Sequence, residues 1–117
     1  MLLPLVGLAV GLLIGSLVSV SIPAEYARYT AVAILAALDS VLGAVRANLA
    51  GQYDNTIFIT GFFTNTLLAG VLTFLGDRLG VELYYAAIFA FGVRLFNNLA
   101  LIRRHLLTRI GQGAHRS

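Results

Sequence analysis

Two stretches of nineteen residues, Leu2 to Val20 and Ile57 to Leu75, contain no ionisable side chain. At roughly 1.5 Å per helical residue each is long enough to cross a hydrocarbon core of about 30 Å. Only 11% of the 117 residues are charged and 59% are hydrophobic, whereas soluble domains carry about 25% charged residues. A water-soluble fold would therefore lack the polar surface it needs. In lipid every backbone N–H and C=O has to be paired internally, which leaves helices or a closed barrel. Barrel strands alternate apolar and polar positions over about ten residues, and these runs are apolar on every face. The sequence therefore predicts an all-α polytopic membrane protein.

Two further segments complete the pattern less cleanly. Ala31 to Leu49 is apolar apart from Asp39, Ser40, Arg46 and Asn48, and Leu83 to Ile102 carries Arg94, Asn97 and Asn98. A central Asp or Arg costs about 2.5–3.5 kcal/mol on insertion, so these two segments need helper helices or a pairing partner. The expected organisation is one domain, residues 1–107, forming a bundle of four transmembrane helices over about 2–20, 31–49, 57–75 and 83–102. Residues 108–117 are expected to form a basic, disordered cytoplasmic tail. The first segment is read as an uncleaved span and not a signal peptide, because no Lys or Arg precedes it and it exceeds the roughly 7–15 residues of a signal core. PAEYARY and VELYY, each before a polar helix, give a faint internal duplication.

The net charge of +3 comes entirely from arginine on the basic side. Arg46, Arg103, Arg104, Arg109 and Arg116 fall at one side of the expected bundle, and Arg28 and Arg78 at the other. That asymmetry predicts cytoplasmic N and C termini and no nucleic-acid partner. Tyr26, Tyr29, Tyr84 and Tyr85 fall at the opposite helix ends, where amphipathic rings prefer the headgroup layer. Arg46, Arg103 and Arg104 are the expected contacts with anionic lipid headgroups. The loop acids are expected to pair locally in solvent, Glu25 with Arg28, and Asp77 with Arg78 and Glu82.

The chain has no cysteine, so thiol chemistry is excluded. His105 and His115 have no acid at ligand spacing. Phosphate-loop, dinucleotide and nucleophile-elbow signatures are also lacking. The expectation is a protein without enzyme activity, metal or cofactor.

Two constellations remain. Gly7, Gly11 and Gly15 recur at i, i+4, i+8, which strips one face of the first helix and lets another backbone approach. That face can serve packing within the chain, or contact with another membrane protein or a second copy. Asp39, Asn65, Arg94 and Asn97 form the second constellation. Counted from the cytoplasmic ends, Asp39 lies roughly 15 Å deep and Asn65 and Arg94 roughly 12 Å. An Asp39–Arg94 ion pair with Asn65 and Asn97 as hydrogen-bonding neighbours is expected, either setting helix register or serving a substrate, a proton or a partner.

The segments ALDSVLGAVRA (37–47), YDN (53–55), GFFTN (61–65), LGDRLGV (75–81) and GVRLFNNLALIRR (92–104) resemble the small basic protein family of bacterial membrane proteins. The resemblance covers nearly the whole chain, from Leu3 to about Leu107. It implies an integral protein of the plasma membrane, encoded near cell-division and envelope genes, and it transfers no activity, ligand or catalytic residue. The expected function is a non-enzymatic membrane subunit or scaffold linked to the envelope or division. The alternative is a small transporter or channel component built on a midplane Asp39/Arg94 site.

Overall fold

A computed structural model describes the backbone of residues 1–18 and 21–116, and side chains as far as Gly111. The described residues form four α-helices, α1 (Leu2–Leu17), α2 (Ala27–Leu49), α3 (Asn55–Leu79) and α4 (Tyr84–Arg116), with a 3₁₀ turn at Ala24–Tyr26 before α2. No strand occurs among the described residues. Three of the helices, covering Ala24–Leu49, Asn55–Leu79 and Tyr84–Gly111, are long and apolar enough to cross a membrane. The fourth, α1, is described over 16 residues, or roughly 24 Å. Its expected end at Ser19 and Val20 lies outside the described residues.

Local chemistry accounts for the turns. Backbone N–H groups of Ala50, Gly51 and Gln52 bond the carbonyls of Arg46, Asn48 and Ala47, and Gly51 adopts φ 73°, so α2 closes with a left-handed glycine cap. Three residues later the Asp54 carboxylate accepts the Ile57 N–H at 3.0 Å and starts α3 as its N-cap. At the far end Gly80, φ 70°, caps α3, and the Val81 N–H bonds the Gly76 carbonyl at 3.0 Å.

The helices α2, α3 and α4 form the bundle. Their core is Val32 and Ala36 from α2, Ala69 from α3, and Ala87 and Phe91 from α4. Three of those five residues are alanine, and small side chains let membrane helices approach closely enough to gain van der Waals contact. Buried Thr73 turns its hydroxyl back to donate to the Ala69 carbonyl at 2.9 Å.

Several boundaries differ from those expected. The helix α2 starts at Ala27, not near Ala31, and α3 runs through Asp77 and Arg78 to Leu79, because neither segment contains a proline or a left-handed residue before its cap. The largest correction is at the C-terminus: α4 continues to Arg116 instead of ending near Ile102 before a disordered tail. Residues 103–110 are Leu, Ile, Arg, His and Thr with no helix breaker, and Arg, Leu and Ile cost a helix little. The extension also meets α2, since Arg109 Nη2 donates to the Leu49 carbonyl at 3.1 Å. A cation at that terminus satisfies an orphan carbonyl and opposes the helix dipole.

A second clasp holds the opposite end. Arg28 Nη2 of α2 lies 2.9 Å from Asp77 Oδ1 of α3, and its guanidinium sits 5.4 Å from the ring centroid of Tyr84 on α4. The acid of the α3–α4 region therefore pairs across the bundle and not locally with Arg78. One arginine thus touches all three helices of the bundle.

The turn between α3 and α4 leaves no room for a side chain at Gly76. A Cβ there would lie 2.5 Å from the Val81 carbonyl oxygen and 2.9 Å from the Leu83 nitrogen, both backbone atoms. Gly70, on the same helix, faces open space. Gly76→Ala is expected to destabilise the bundle by about 1–3 kcal/mol through overpacking, and Gly70→Ala to leave it unchanged or slightly more stable, in unfolding titrations in mixed micelles. Equal effects at the two glycines would refute the steric account.

Candidate functional site

Asp39 sits in the middle of α2 and its side chain has no solvent exposure. Helical periodicity puts it on the stripe that runs from Val32 and Ala36, both buried in the core, towards Gly43. A charge cannot stay there alone, because desolvation of an isolated carboxylate costs several kcal/mol. The structure brings Arg94 from α4 to it, with Nη2 3.0 Å from Asp39 Oδ2. The arginine side chain is 54% exposed, so only one partner of the pair is buried.

The pair does not exhaust the carboxylate. Asp39 Oδ1 and Oδ2 and the Ser40 hydroxyl are buried without a hydrogen-bond partner among the described residues. The Arg94 contact is close in distance but is not aligned as a hydrogen bond. Asp39 and Ser40 are among the residues that line a cavity of about 220 Å³ between α2 and α3, which Arg94 also borders. Asn65 of α3 lines it too. Its walls continue past Gly43, Arg46 and Phe58 to Gln52, Tyr53 and Asp54 in the α2–α3 connection, where Gln52 and Asp54 are exposed. Tyr53 donates to Asn55 Oδ1 at 2.7 Å. Burial first, and then the neighbouring Asp54 carboxylate, push its phenol above the ordinary tyrosine range, so it stays protonated and serves as a donor.

Three of the four residues expected in the polar cluster thus meet: Asp39 and Arg94 in contact, and Asn65 across the same cavity. Asn97 does not join them. It is exposed on α4, and the neighbouring Asn98 is the buried amide, its Nδ2 3.7 Å from where a Cβ on Gly43 would lie. The two asparagines differ by one position, or roughly 100° around the helix. Distance along the span alone could not choose between them. Arg46, Arg103 and Arg104 are all exposed; Arg46 also lines the cavity.

The glycine face of α1 is placed differently from an intrachain packing seam. A Cβ at Gly7, Gly11 or Gly15 would meet nothing within 4 Å. Pro4 is the one buried residue of α1 among the described residues. Gly7 and Gly11 instead border an apolar cleft of about 720 Å³ whose far wall is Ile34 and Leu38 of α2 and Phe58 and Phe62 of α3. Of the two roles open to these glycines, packing within the chain is not seen among the described residues, because α1 stands away from the bundle along that side.

Sequence reasoning missed two elements: the Arg28–Asp77–Tyr84 clasp and the Arg109 cap on α2. Both rest on an arginine facing an acceptor on a different helix, and a signal for the first was present in the clustering of Arg28, Asp77 and Tyr84 at one bundle end.

A protein-family profile described as a protein of unknown function, DUF1290, matches residues 22–107. The chain is 55% identical over 107 residues to a protein of Bacillus subtilis (strain 168) named small basic protein, covering 92% of this chain and 88% of that one. Uncharacterized proteins of Mycobacterium bovis and Mycobacterium tuberculosis H37Rv are each 39% identical over 101 residues, covering 85% of this chain and 84% of theirs. No solved structure matches.

The geometry predicts that Asp39 and Arg94 are energetically coupled. In a double-mutant cycle with Asp39→Asn and Arg94→Gln, the single changes are expected to cost more than the pair, with a coupling of about 0.5–3 kcal/mol. Strictly additive stabilities would show that the 3.0 Å contact contributes nothing.

Proposed function

The chain belongs to the DUF1290 family of proteins of unknown function, and we propose that it is a non-enzymatic integral subunit of the bacterial plasma membrane whose α1 docks against a transmembrane helix of another membrane protein. The observation that carries this reading is the open glycine face: Gly7, Gly11 and Gly15 meet nothing within 4 Å and two of them border an apolar cleft of about 720 Å³. In a bilayer no hydrophobic force drives helices together, since lipid tails are as apolar as leucine. A stripe of glycines gains attraction only when another backbone comes close enough to fill it. Among the described residues no helix does so, and an incoming helix would.

The composition of the cleft restricts the occupant. Leu3, Leu8 and Leu12 from α1 and Ile34, Leu38, Phe58 and Phe62 opposite make it apolar throughout. A helix that fits must therefore be apolar along its whole face, and unpaired charge on it would be costly. The connections between α2 and α3 and between α3 and α4 are only five and four residues long, which leaves little soluble surface for other chemistry. Both termini are placed on the cytoplasmic side in this reading, with Arg46, Arg103 and Arg104 at the anionic headgroups of that leaflet. The genomic association implied by the family resemblance makes envelope and division proteins the first partners to test.

Affinity purification of the full chain in mild detergent is expected to return a stoichiometric membrane partner, and Gly11→Leu, which fills the stripe, to lose that partner while the variant keeps its helix content and membrane insertion. A chain that purifies alone or only with itself, or Gly11→Leu with undiminished recovery, would overturn the reading.

A further inference from the structure

The cavity that ends at Asp39 carries an inference independent of partner docking by α1. Its volume of about 220 Å³ corresponds to about seven water molecules at roughly 30 Å³ each. Its lining is graded: exposed Gln52 and Asp54 at the α2–α3 connection, then Arg46 about one turn inside, then Ser40, Asn65, Arg94 and Asp39 at the depth of the span. From the end of α2 at Leu49 to Asp39 is ten residues, or roughly 15 Å, half the thickness of a hydrocarbon core of about 30 Å. A partly polar cleft, with Ala44, Ala47, Ile57, Phe58 and Phe62 also in its walls, thus runs from the α2–α3 connection to the depth of Asp39.

What stands at its closed end is unusual for a purely structural pair. A pair that only fixes helix register gains most when every lone pair and N–H is satisfied, because a partly satisfied buried network is worse than an apolar core. Here Asp39 Oδ1 and the Ser40 hydroxyl are buried without a protein partner among the described residues, while both residues line the cavity. The one cation in contact, Arg94, has a side chain that is 54% exposed and borders the same space. The acid is buried and the base is half-exposed.

We propose that this cavity is an aqueous vestibule open at the α2–α3 connection, and that Asp39 at its closed end binds a proton delivered through it, releasing Arg94 into the cavity. The step balances simply: a hydronium ion gives its proton to Asp39 Oδ1 and leaves as water, the carboxylate becomes a carboxylic acid, and the ion pair becomes a neutral acid beside a free guanidinium. No other bond forms or breaks, and the local charge rises by one. The charged and titratable groups around Asp39 are Arg94 from α4, Arg46 from α2, and Asp54 and Tyr53 from the connection into α3. Tyr53 is held protonated, which leaves two arginines and one other acid to tune the site. The two arginines oppose a further cation in the vestibule. A proton needs no coordination shell, whereas a metal ion would need several ligands beyond one carboxylate.

Because the chain has no cysteine, single cysteines report water access without background. The full chain carrying Ser40→Cys, reconstituted in phospholipid vesicles, is treated with a membrane-impermeant maleimide from either side. Gln52→Cys marks the side of the connection and Leu67→Cys, on the exposed apolar surface of α3, marks the lipid. Ser40→Cys is expected to label from the same side as Gln52→Cys and not from the other, with Leu67→Cys unlabelled, since a thiol must meet water to ionise and react. Infrared spectra of the cysteine-free chain across physiological pH are then expected to show one protonated carboxylic acid appearing as pH falls. That band is expected to be lost in Asp39→Asn and its midpoint shifted in Arg94→Gln. Circular dichroism of each variant separates loss of the band from loss of the fold. Ser40→Cys inert from both sides would show a dry cavity and overturn the proposal. Labelling without a titrating band that depends on Asp39, or a band that persists in folded Asp39→Asn, would overturn proton binding as well.

Discussion

A carboxylate with no solvent exposure can occupy the centre of α2 only because α4 brings Arg94 within 3.0 Å of it. Everything else about the bundle is arranged so that this contact is possible. The helices α2 and α4 run in the same direction, α3 runs against them, and short capped turns at Gly51 and Gly80 set the lengths so that Asp39, Asn65 and Arg94 arrive at one level. Alanines at the core positions Ala36, Ala69 and Ala87 let the helices come close enough for an arginine to reach across. The polar pair and the small-residue core are two parts of one packing solution: larger core side chains would hold α4 too far away, and without Arg94 the charge on Asp39 would oppose insertion of α2.

The ends of the bundle use the same residue type for a different task. Arg28 gathers Asp77 and Tyr84 where α2 and α4 begin, and Arg109 caps the carbonyl of Leu49 where α2 ends. Arginine suits both positions because its planar fork offers several donors and its face stacks on aromatic rings. At these exposed ends of the bundle each contact alone contributes little. Together they tie α2 to its neighbours at both ends, with the midplane pair between them, and α2 becomes the axis on which the other helices are registered.

The sequence made the helices legible because their signal is long and uniform. Runs such as Ile57 to Leu75 admit no other reading, although α3 itself extends from Asn55 to Leu79 and its caps, Asp54 and Gly80, lie beyond the limits set by hydropathy. The approach of Asp39, Asn65 and Arg94 was legible as well, since depth along a span follows from counting residues. What counting cannot supply is rotation. Asn97 and Asn98 have the same depth within one residue, and only the direction of α4 relative to α2 decides that Asn98 is buried. The glycines of α1 were ambiguous for the related reason that a bare helix face states a capacity for contact without naming the partner. The extension of α4 to Arg116 was obscured by composition, because arginine and glycine near a terminus suggest a solvated tail, while the leucines and isoleucine among them continue a helix.

Phe58 and Phe62 border both the polar cavity and the apolar cleft. The two spaces are therefore neighbours, separated by two aromatic rings on one face of α3. Aromatic side chains turn through few rotamers and fill much volume, so a helix entering the cleft would press on rings whose other side meets the lining of the cavity. Seating of a partner and the state of the Asp39–Arg94 pair would then act on the same two side chains from opposite directions. Coupling between distant sites needs an element with two arrangements that both can bias. In this chain the Phe58–Phe62 wall lies between the cleft beside the α1 glycines and the cavity beside Asp39, so any such element would have to include it.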